Sequence, residues 1–255
     1  MDELRRRYLA QQMELGGAEV VLETTGRSDE QRQDSGAEPS AARPWMKGAP
    51  PIPGPGLAVM SAEPALLGNS LADLDSIDAL ADYIRSRHCC GLCASRTNAV
   101  PGEGNPKARL MLVGEGPGAT EDATGRPFVG QAGQLLDSIL QAIEVPRETV
   151  YITNIVKCRP PQNRKPLPDE IAACIPYLHR QIELIRPKVI VALGGTAGEA
   201  MLGVRKSLGE LRNKVHTFNG IPLVVTYHPA ALLRNPNWKK PTWDDVRIAR
   251  QLLDR

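Results

Sequence analysis

Phenylalanine is scarce in this chain: only two of its 255 residues are Phe. One of them, Phe128, lies between Pro127 and Val129 in a glycine-rich stretch. A residue this rare, placed in a glycine-rich turn, is more typical of a functional contact than of core packing.

Long apolar runs are also missing. No run reaches the roughly 20 residues that a membrane-spanning helix needs, and the N-terminal MDELRRRYLAQQ lacks the apolar core of a secretory signal. These absences exclude a membrane protein and favour a cytoplasmic one, in which thiols stay reduced. The five cysteines therefore indicate a metal or redox role rather than disulfides.

Charge is divided unevenly along the chain. Residues 1–78 carry 7 Lys/Arg against 13 Asp/Glu, whereas the rest of the chain carries 24 against 16. A basic body suits a polyanionic partner such as DNA or RNA. The charge distribution alone fits a solvated surface without a nucleic-acid partner equally well.

Composition divides the chain into two parts. We expect residues 1–73 to be an N-terminal extension, with a possible short helix over 1–22 and a Gly-, Pro- and Ser-rich linker or disordered stretch over about 23–70. Over 74–255, strand patterns alternate with helical ones, which predicts one α/β domain. The dipeptide Asn219-Gly220 predicts a hairpin before the last strand. The main strands are predicted over 110–113, 150–154, 188–193 and 221–226. The predicted fold is a three-layer α/β/α sandwich around a central, mostly parallel four-stranded sheet.

Polar residues follow three of these strands. A glycine-rich turn with Glu115, Gly116 and Glu121 follows the first, Asn154 ends the second, and His228 follows the last. Ligands of open α/β sheets bind beyond the carboxyl ends of the strands, so we take the turn as the floor of a site. Each residue alone also fits a structural position, such as a turn for the Asn or a helix cap for Glu121.

Four of the cysteines suit a metal site. Cys90 and Cys93 form a C-x2-C pair, and Cys158 and Cys174 form a second, widely spaced pair. Four thiolates from separate segments can surround a tetrahedral zinc ion or a cubane iron–sulfur cluster. Thiolates are soft ligands that bind both zinc and iron, so the ligand type does not decide between the two. Alternatively, Cys158 and Cys174 are ordinary buried thiols without a metal. In the first pair, Cys89 could also reach the metal in place of Cys90.

Four segments carry a recognisable pattern: GEGPGATED (114–122), GRPFVGQAG (125–133), YITNIVKCRPPQNRKP (151–166) and YHPAALLRNP (227–236). In this order they closely resemble the motifs of the family 4 uracil-DNA glycosylases, the bacterial and archaeal iron–sulfur members of the uracil-DNA glycosylase superfamily. The resemblance covers about 84–255 and leaves out the N-terminal extension.

The resemblance implies a monofunctional enzyme of base-excision repair. It would hydrolyse the N-glycosidic bond of a deoxyuridine flipped out of DNA, release uracil and leave an abasic site. It would carry a structural [4Fe-4S] cluster, with zinc as the alternative, on Cys90, Cys93, Cys158 and Cys174.

The resemblance also assigns roles at the site. Phe128 would lie against the uracil ring, and the amide of Asn154 would pair with uracil O4 and N3–H. His228 and the backbone N–H of Gly116 would donate to O2, where negative charge grows as the bond breaks. Glu121 would exclude the methyl group of thymine.

The role of Glu115 stays open. The best-known members of the superfamily place an Asp, which orients water, at the position that Gly116 occupies here. Either Glu115 substitutes for that carboxylate, or the sugar cation forms with little assistance from a base.

DNA contacts would come from two segments. Leu232, with Leu233 beside it on a loop, would wedge into the vacated base stack, and Arg234 would lie next to the DNA. Arg164 and Lys165 would contact phosphates. Further candidates for phosphate contacts are Arg159, Lys239 and Lys240.

Two other functions stay open from the sequence. One is a non-catalytic, metal-stapled nucleic-acid-binding module linked to replication, and the other is a glycosylase of altered base specificity, for example for hypoxanthine. We expect a monomer that acts on uracil-containing DNA and has no membrane partner. The N-terminal extension would be the place for a replication or repair partner.

Overall fold

The structure, a computed structural model, describes residues 43–61, 69–87 and 90–255. The expected helix over 1–22 and Cys89 lie outside these ranges. The strands are β1 (Pro55–Val59), β2 (Glu103–Gly104), β3 (Leu110–Gly114), β4 (Tyr151–Asn154), β5 (Val189–Leu193), β6 (Val215–Phe218) and β7 (Ile221–Thr226).

The α-helices that the structure describes alternate with these strands along most of the chain. They are α1 (Asn69–Ala72), α2 (Ile77–Ser86), α3 (Ala119–Thr124), α4 (Gln131–Ala142), α5 (Pro168–Ile185), α6 (Gly195–Leu202), α7 (Leu208–Leu211), α8 (Pro229–Arg234) and α9 (Lys239–Asp254). Short 3-10 segments include Arg147–Thr149, Pro161–Asn163 and Pro236–Trp238. None of the described helices has both the length and the apolar character needed to span a bilayer.

The strands form one sheet in the order β1-β6-β7-β5-β3-β4-β2. Its centre, β7-β5-β3-β4, is parallel and consists of the four predicted strands. At the edges, β6 and β2 run antiparallel to β7 and β4, and β1 joins β6 in parallel. The mostly parallel centre is thus confirmed, and within the described ranges three edge strands widen the sheet from four strands to seven.

Side chains of the central strands point alternately to two helical layers. Leu110 and Leu112 of β3 pack in one buried group with α4 and α9, whereas Met111 and Val113 pack in another with α5 and α6. Every residue of β3 and β5 is buried, as expected of strands covered on both faces. The predicted three-layer α/β/α sandwich is therefore confirmed.

The predicted hairpin is confirmed between β6 and β7. Asn219 and Gly220 have φ values of 49° and 79°, the positive values that a two-residue type I′ turn requires. The turn pairs Phe218 with Ile221 and sets the antiparallel register of the two strands.

Residues 43–61 pack on the domain, so the expectation that they are linker is wrong. The N–H of Leu57 in β1 donates to Nδ1 of His216 in β6, at 2.9 Å. Trp45 is 2% exposed, and Cζ of Arg250 lies 5.0 Å from the centre of its ring. The segment is rich in Pro and Gly, but one buried tryptophan and backbone pairing at a sheet edge hold it.

The connections around β3 position the site. The chain passes from β3 to β4 on one side and then crosses to β5 on the other side of β3. The helices of the two connections, α4 and α5, lie in opposite layers. Where connections diverge in this way, a crevice opens at the carboxyl ends of the strands.

Replacing Trp45 with Ala should lower the free energy of unfolding by about 3 kcal/mol, because truncation of a buried aromatic leaves a cavity. Urea denaturation followed by circular dichroism measures the change. Met46→Ala is the matched control: Met46 is 53% exposed, so its loss should cost less than about 0.5 kcal/mol. Equally small effects of the two substitutions would contradict the packing of residues 43–61 on the domain.

Candidate active site

A cavity of about 340 Å³ lies at the carboxyl edge of the sheet, a size typical of sites for small molecules and bases. It is bounded by the segments that follow β3, β4 and β7. The residues that line it are Glu115, Gly116, Pro117, Gly118, Glu121, Phe128, Ala132, Asn154, Pro160, Asn163, Arg164, His228, Ala230 and Arg234. Phe128, Asn154 and His228, which lie far apart in sequence, therefore share one cavity.

The loop that carries Phe128 is held in a strained conformation. Phe128 has a φ of 50°, a left-handed value that costs energy for a residue other than glycine. The guanidinium of Arg147 donates to the backbone oxygens of Phe128 at 3.0 Å and Pro127 at 2.7 Å. It also pairs with Asp137 at 2.7 Å and Glu103 at 3.0 Å. These bonds fix the loop and, with it, the position of the phenyl ring.

Glu121 ties the glycine-rich turn to the same loop. Its carboxylate accepts the backbone N–H groups of Val129 and Gly130, each at 2.9 Å, and that of Gly118 at 3.2 Å. This is the capping arrangement named above as the alternative for Glu121, which also lines the cavity. Its carboxylate is thus held rigidly at the cavity wall.

Asn154 ends β4 and lines the cavity. The residue is 1% exposed, and its Oδ1 has no hydrogen-bond partner among the described residues. A buried acceptor left without a partner costs about 1–3 kcal/mol, so this oxygen is placed to accept from a ligand. Residue 114 must be small here, because a Cβ on Gly114 would lie 2.3 Å from that oxygen and 2.7 Å from the ring of Phe128.

His228 is held as a neutral imidazole. Its Nδ1 accepts the N–H of Ala230 at 3.1 Å and caps α8, so the ring proton lies on Nε2. Burial, assisted by nearby Arg234 and opposed by Glu121, lowers the pKa of His228 from 6.5 to about 4. The imidazole and the ring of Phe128 have their centres 5.5 Å apart. At neutral pH the cavity therefore contains an uncharged N–H donor beside the phenyl ring.

The floor of the cavity is formed by the turn after β3. Glu115 and Gly116 both line it, and the backbone oxygen of Glu115 accepts the N–H of Val156 at 3.2 Å. A Cβ on residue 116 would lie 2.8 Å from Cγ2 of Val156. A side chain at position 116 would therefore force Val156 to move.

The sequence that forms these strands and their connecting loops matches a known protein family. A model described as the Uracil DNA glycosylase superfamily matches residues 101–249. The chain belongs to this superfamily.

Relatives within the superfamily are similar over most of their length. A Type-4 uracil-DNA glycosylase of Saccharolobus solfataricus is 48% identical over 189 residues, which covers 71% of this chain and 88% of the relative. A Type-4 uracil-DNA glycosylase of Thermotoga maritima is 48% identical over 183 residues, covering 70% and 95%. A Type-5 uracil-DNA glycosylase of Thermus thermophilus is 38% identical over 149 residues, covering 51% and 68%.

In this superfamily member, two of the predicted ligand sulfurs lie together. Sγ of Cys93 and Sγ of Cys158 are 3.6 Å apart, too far for a disulfide bond. The guanidinium of Arg96 donates to Cys158 at 3.2 Å and to Cys93 at 3.8 Å. Cys174 is buried in the same core group, and Cys90 packs against it. Among the residues described, no three Cys, His, Asp or Glu side chains are close enough to hold one ion in common.

The expectation that Leu232 lies on a loop is wrong, and its side chain is not exposed for the predicted wedge into DNA. It is 1% exposed in α8, whereas the next residue, Leu233, is 48% exposed. The segment is helical, so neighbouring side chains point in different directions. On a loop, the side chains of Leu232 and Leu233 would be equally accessible, whereas in the helix only that of Leu233 is exposed.

The three predicted cations of the DNA face differ in their surroundings. Arg164 lines the cavity and forms two bonds with the carboxylate of Glu170, at 2.6 and 2.8 Å. Lys165 pairs with Glu199 at 3.0 Å and is not part of the cavity lining. Arg234 is exposed and lines the cavity, and no carboxylate in the described ranges pairs with it. Arg234 is therefore the most accessible of the three to a phosphate.

Three residues around the cavity are not predicted from the sequence. Asn163, with a φ of 55°, lines it, and Arg147 holds the Phe128 loop. Lys157 is 1% exposed and donates to the backbone oxygen of Asn154 at 2.7 Å and to Oε1 of Gln181 at 2.8 Å. No local pattern distinguishes a buried lysine or a loop-binding arginine from a solvated one.

The pKa of His228 should lie near 4 in the protein, because burial disfavours the imidazolium. In an NMR titration, its ring ¹⁵N shifts should remain those of the Nε2–H tautomer from pH 8 to pH 5 and change only near pH 4. The spectrum of His228→Gln assigns the signal. A midpoint near 6.5, the ordinary value for histidine, would contradict the neutral donor.

Proposed function

We propose that this protein is a monofunctional uracil-DNA glycosylase of base-excision repair. It hydrolyses the N-glycosidic bond of deoxyuridine in DNA, releases uracil and leaves an abasic site. The observation that supports this most is the cavity in which a phenyl ring, an amide with an unpartnered oxygen and a neutral imidazole lie together. The relatives named Type-4 uracil-DNA glycosylase support the choice of substrate.

The ring and the amide account for recognition of the base. A nucleotide flipped out of the stack places its base against Phe128. Oδ1 of Asn154 accepts uracil N3–H, and Nδ2 donates to O4. Cytosine has the opposite pattern at these two atoms, so its ring nitrogen would meet the amide oxygen acceptor to acceptor. Discrimination then follows from leaving buried polar groups unpaired.

His228 accounts for departure of the base. As the bond between C1′ and N1 breaks, its electron pair passes into the uracil ring and negative charge grows on O2. The Nε2–H of His228 donates to that oxygen, with the backbone N–H of Gly116 as a second donor. Fixed donors aimed at a developing charge stabilise the transition state without reorganisation. The bound Nδ1 keeps the ring in the tautomer that can donate.

The two carboxylates of the cavity have different roles. Glu121, held by three backbone N–H groups, forms a rigid wall beside uracil C5 and excludes the methyl group of thymine. Glu115 faces the sugar and stabilises its positive charge, or orients the water that attacks it.

We propose a [4Fe-4S] cluster on Cys90, Cys93, Cys158 and Cys174, with zinc as the alternative. The donor set fits: four thiols lie in or against one core group, and Arg96 donates to two of the sulfurs, as suits anionic thiolates. When bound, the cluster supplies a covalent link between the segment before β2, the loop after β4 and α5.

The rest of the proposal concerns the surroundings of the enzyme. Uracil-containing DNA is the partner, contacted through Arg234 and the exposed Leu233 with further basic residues around the cavity. We expect a monomer acting in the cytoplasm. The N-terminal extension before residue 43 is the candidate binding site for a replication or repair protein.

Substitutions at the cavity should abolish uracil release. An oligonucleotide with one uracil, incubated with the protein and then heated in alkali, should break at the uracil. His228→Ala should lower kcat by about 10²- to 10³-fold, because one donor to the developing charge is lost, and Asn154→Ala should lower kcat/KM at least as much. The matched control is His179→Ala, since His179 packs on Phe218 rather than in the cavity.

Each contrary outcome of this assay has its own meaning. Tight binding without a break indicates the non-catalytic module. A break at hypoxanthine but not at uracil indicates the altered specificity. Full activity of either cavity variant contradicts the assigned roles.

Metal analysis tests the cluster. Protein purified without oxygen should be brown, absorb visible light and contain about four iron atoms per chain. Cys90→Ser and Cys158→Ser should lose most of this iron, because each removes a thiolate ligand. Cys89→Ser is the matched control and should keep it. One zinc and no iron would favour the zinc alternative, and neither metal would contradict the site.

A further inference from the structure

A stack of aromatic side chains lies next to His228, the histidine of the proposed active site. Tyr227 precedes His228 in sequence, and its ring lies parallel to that of Trp238, with centres 4.9 Å apart and planes 10° apart. Cζ of Arg212 also lies over the Tyr227 ring, 4.5 Å from its centre. Guanidinium, phenol and indole thus stack on one another.

The inner end of this stack is anchored in the core. Arg212 is buried, pairs with buried Asp245 at 2.7 Å and donates to the backbone oxygen of Pro241 at 2.9 Å. Asp245 also accepts from the hydroxyl of Thr226, at the end of β7. The stack therefore starts from the central sheet and is pre-organised rather than formed by mobile surface side chains.

The outer end of the stack is open. Trp238 is 36% exposed, and because Tyr227 covers one face of the indole, this exposure belongs to the other face and the edges. Leu233, in the neighbouring α8, is 48% exposed. Large apolar side chains at the surface beside a binding cavity are typical of an interaction site.

Charge around the open face identifies the partner. The segment 227–243 contains Arg234, Lys239 and Lys240 and no Asp or Glu. Within the part of the chain that the structure describes, no carboxylate pairs with these three cations, unlike Arg164 and Lys165. An aromatic face bordered by unpaired cations matches single-stranded nucleic acid, whose bases stack while its phosphates are neutralised.

We propose that the outer face of Trp238 is a stacking site for an unpaired base of the DNA strand that carries the uracil. This inference rests on the proposed function. The base is a neighbour of the extrahelical nucleotide, because the stack runs from the surface to the residue before His228. In duplex DNA, the neighbouring base is paired and stacked within the helix and is not free to stack on Trp238. The site therefore favours single-stranded DNA.

Binding of an oligonucleotide without uracil tests the stacking site. The probe is a single strand that carries one tetrahydrofuran abasic analogue, together with its duplex form, in fluorescence anisotropy. Trp238→Ala should raise the Kd for the single strand by about 5- to 150-fold, the range for loss of one base–aromatic stack. It should raise the Kd for the duplex much less. Trp238→Phe should restore most of the affinity, because it keeps an aromatic face.

The controls separate stacking from folding and from catalysis. Trp243→Phe, whose ring lies near Arg247 on α9, controls for substitution of a tryptophan elsewhere in this region. Trp238 emission should also be quenched when the single strand binds. Equal affinity of Trp238→Ala and the wild type for the single strand would overturn the inference, as would equal losses for single strand and duplex. Failure of the wild type to release uracil overturns the proposed function instead.

Discussion

The candidate site depends on one close approach, in which the ring of Phe128, the amide of Asn154 and the backbone of Gly114 share a space too small for a methyl group. A Cβ on residue 114 would lie within 2.7 Å of both side chains. Gly114 and Asn154 are register partners at the ends of β3 and β4. The sheet itself therefore sets the distance between amide and backbone, which is more precise than placement by loops alone.

Charged side chains hold the other half of the site. Arg147 donates to two backbone oxygens of the Phe128 loop, and Glu121 accepts three N–H groups of the same region. Together they maintain Phe128 in a left-handed conformation that would otherwise relax. The ring is consequently fixed before any ligand arrives, and a base bound on it pays little for ordering the loop.

Much of this architecture could be predicted from local sequence patterns. Apolar runs located the parallel strands, Asn219-Gly220 located the hairpin, and strand ends located the cavity, because each pattern is set by neighbours in sequence. The packing of the segment with Trp45 could not be predicted in this way, since its partner Arg250 lies about two hundred residues away in the sequence. Leu232 and Leu233 were not distinguished because the helical phase of α8 depends on its capping by His228. The burial of Lys157 depends on Gln181 of α5, which no local pattern reveals.

The carboxylates of the cavity bear on how the proposed reaction would proceed. Glu121 is engaged by three N–H groups, whereas the side chain of Glu115 forms no hydrogen bond within the described ranges. Position 116 cannot carry an Asp unless Val156 moves. In the proposed reaction, the two fixed donors would stabilise the departing uracil. A carboxylate that no hydrogen bond orients would stabilise the sugar cation better than it would position a water molecule. Bond breaking would therefore run ahead of water attack, and the sugar cation would form before its nucleophile is engaged.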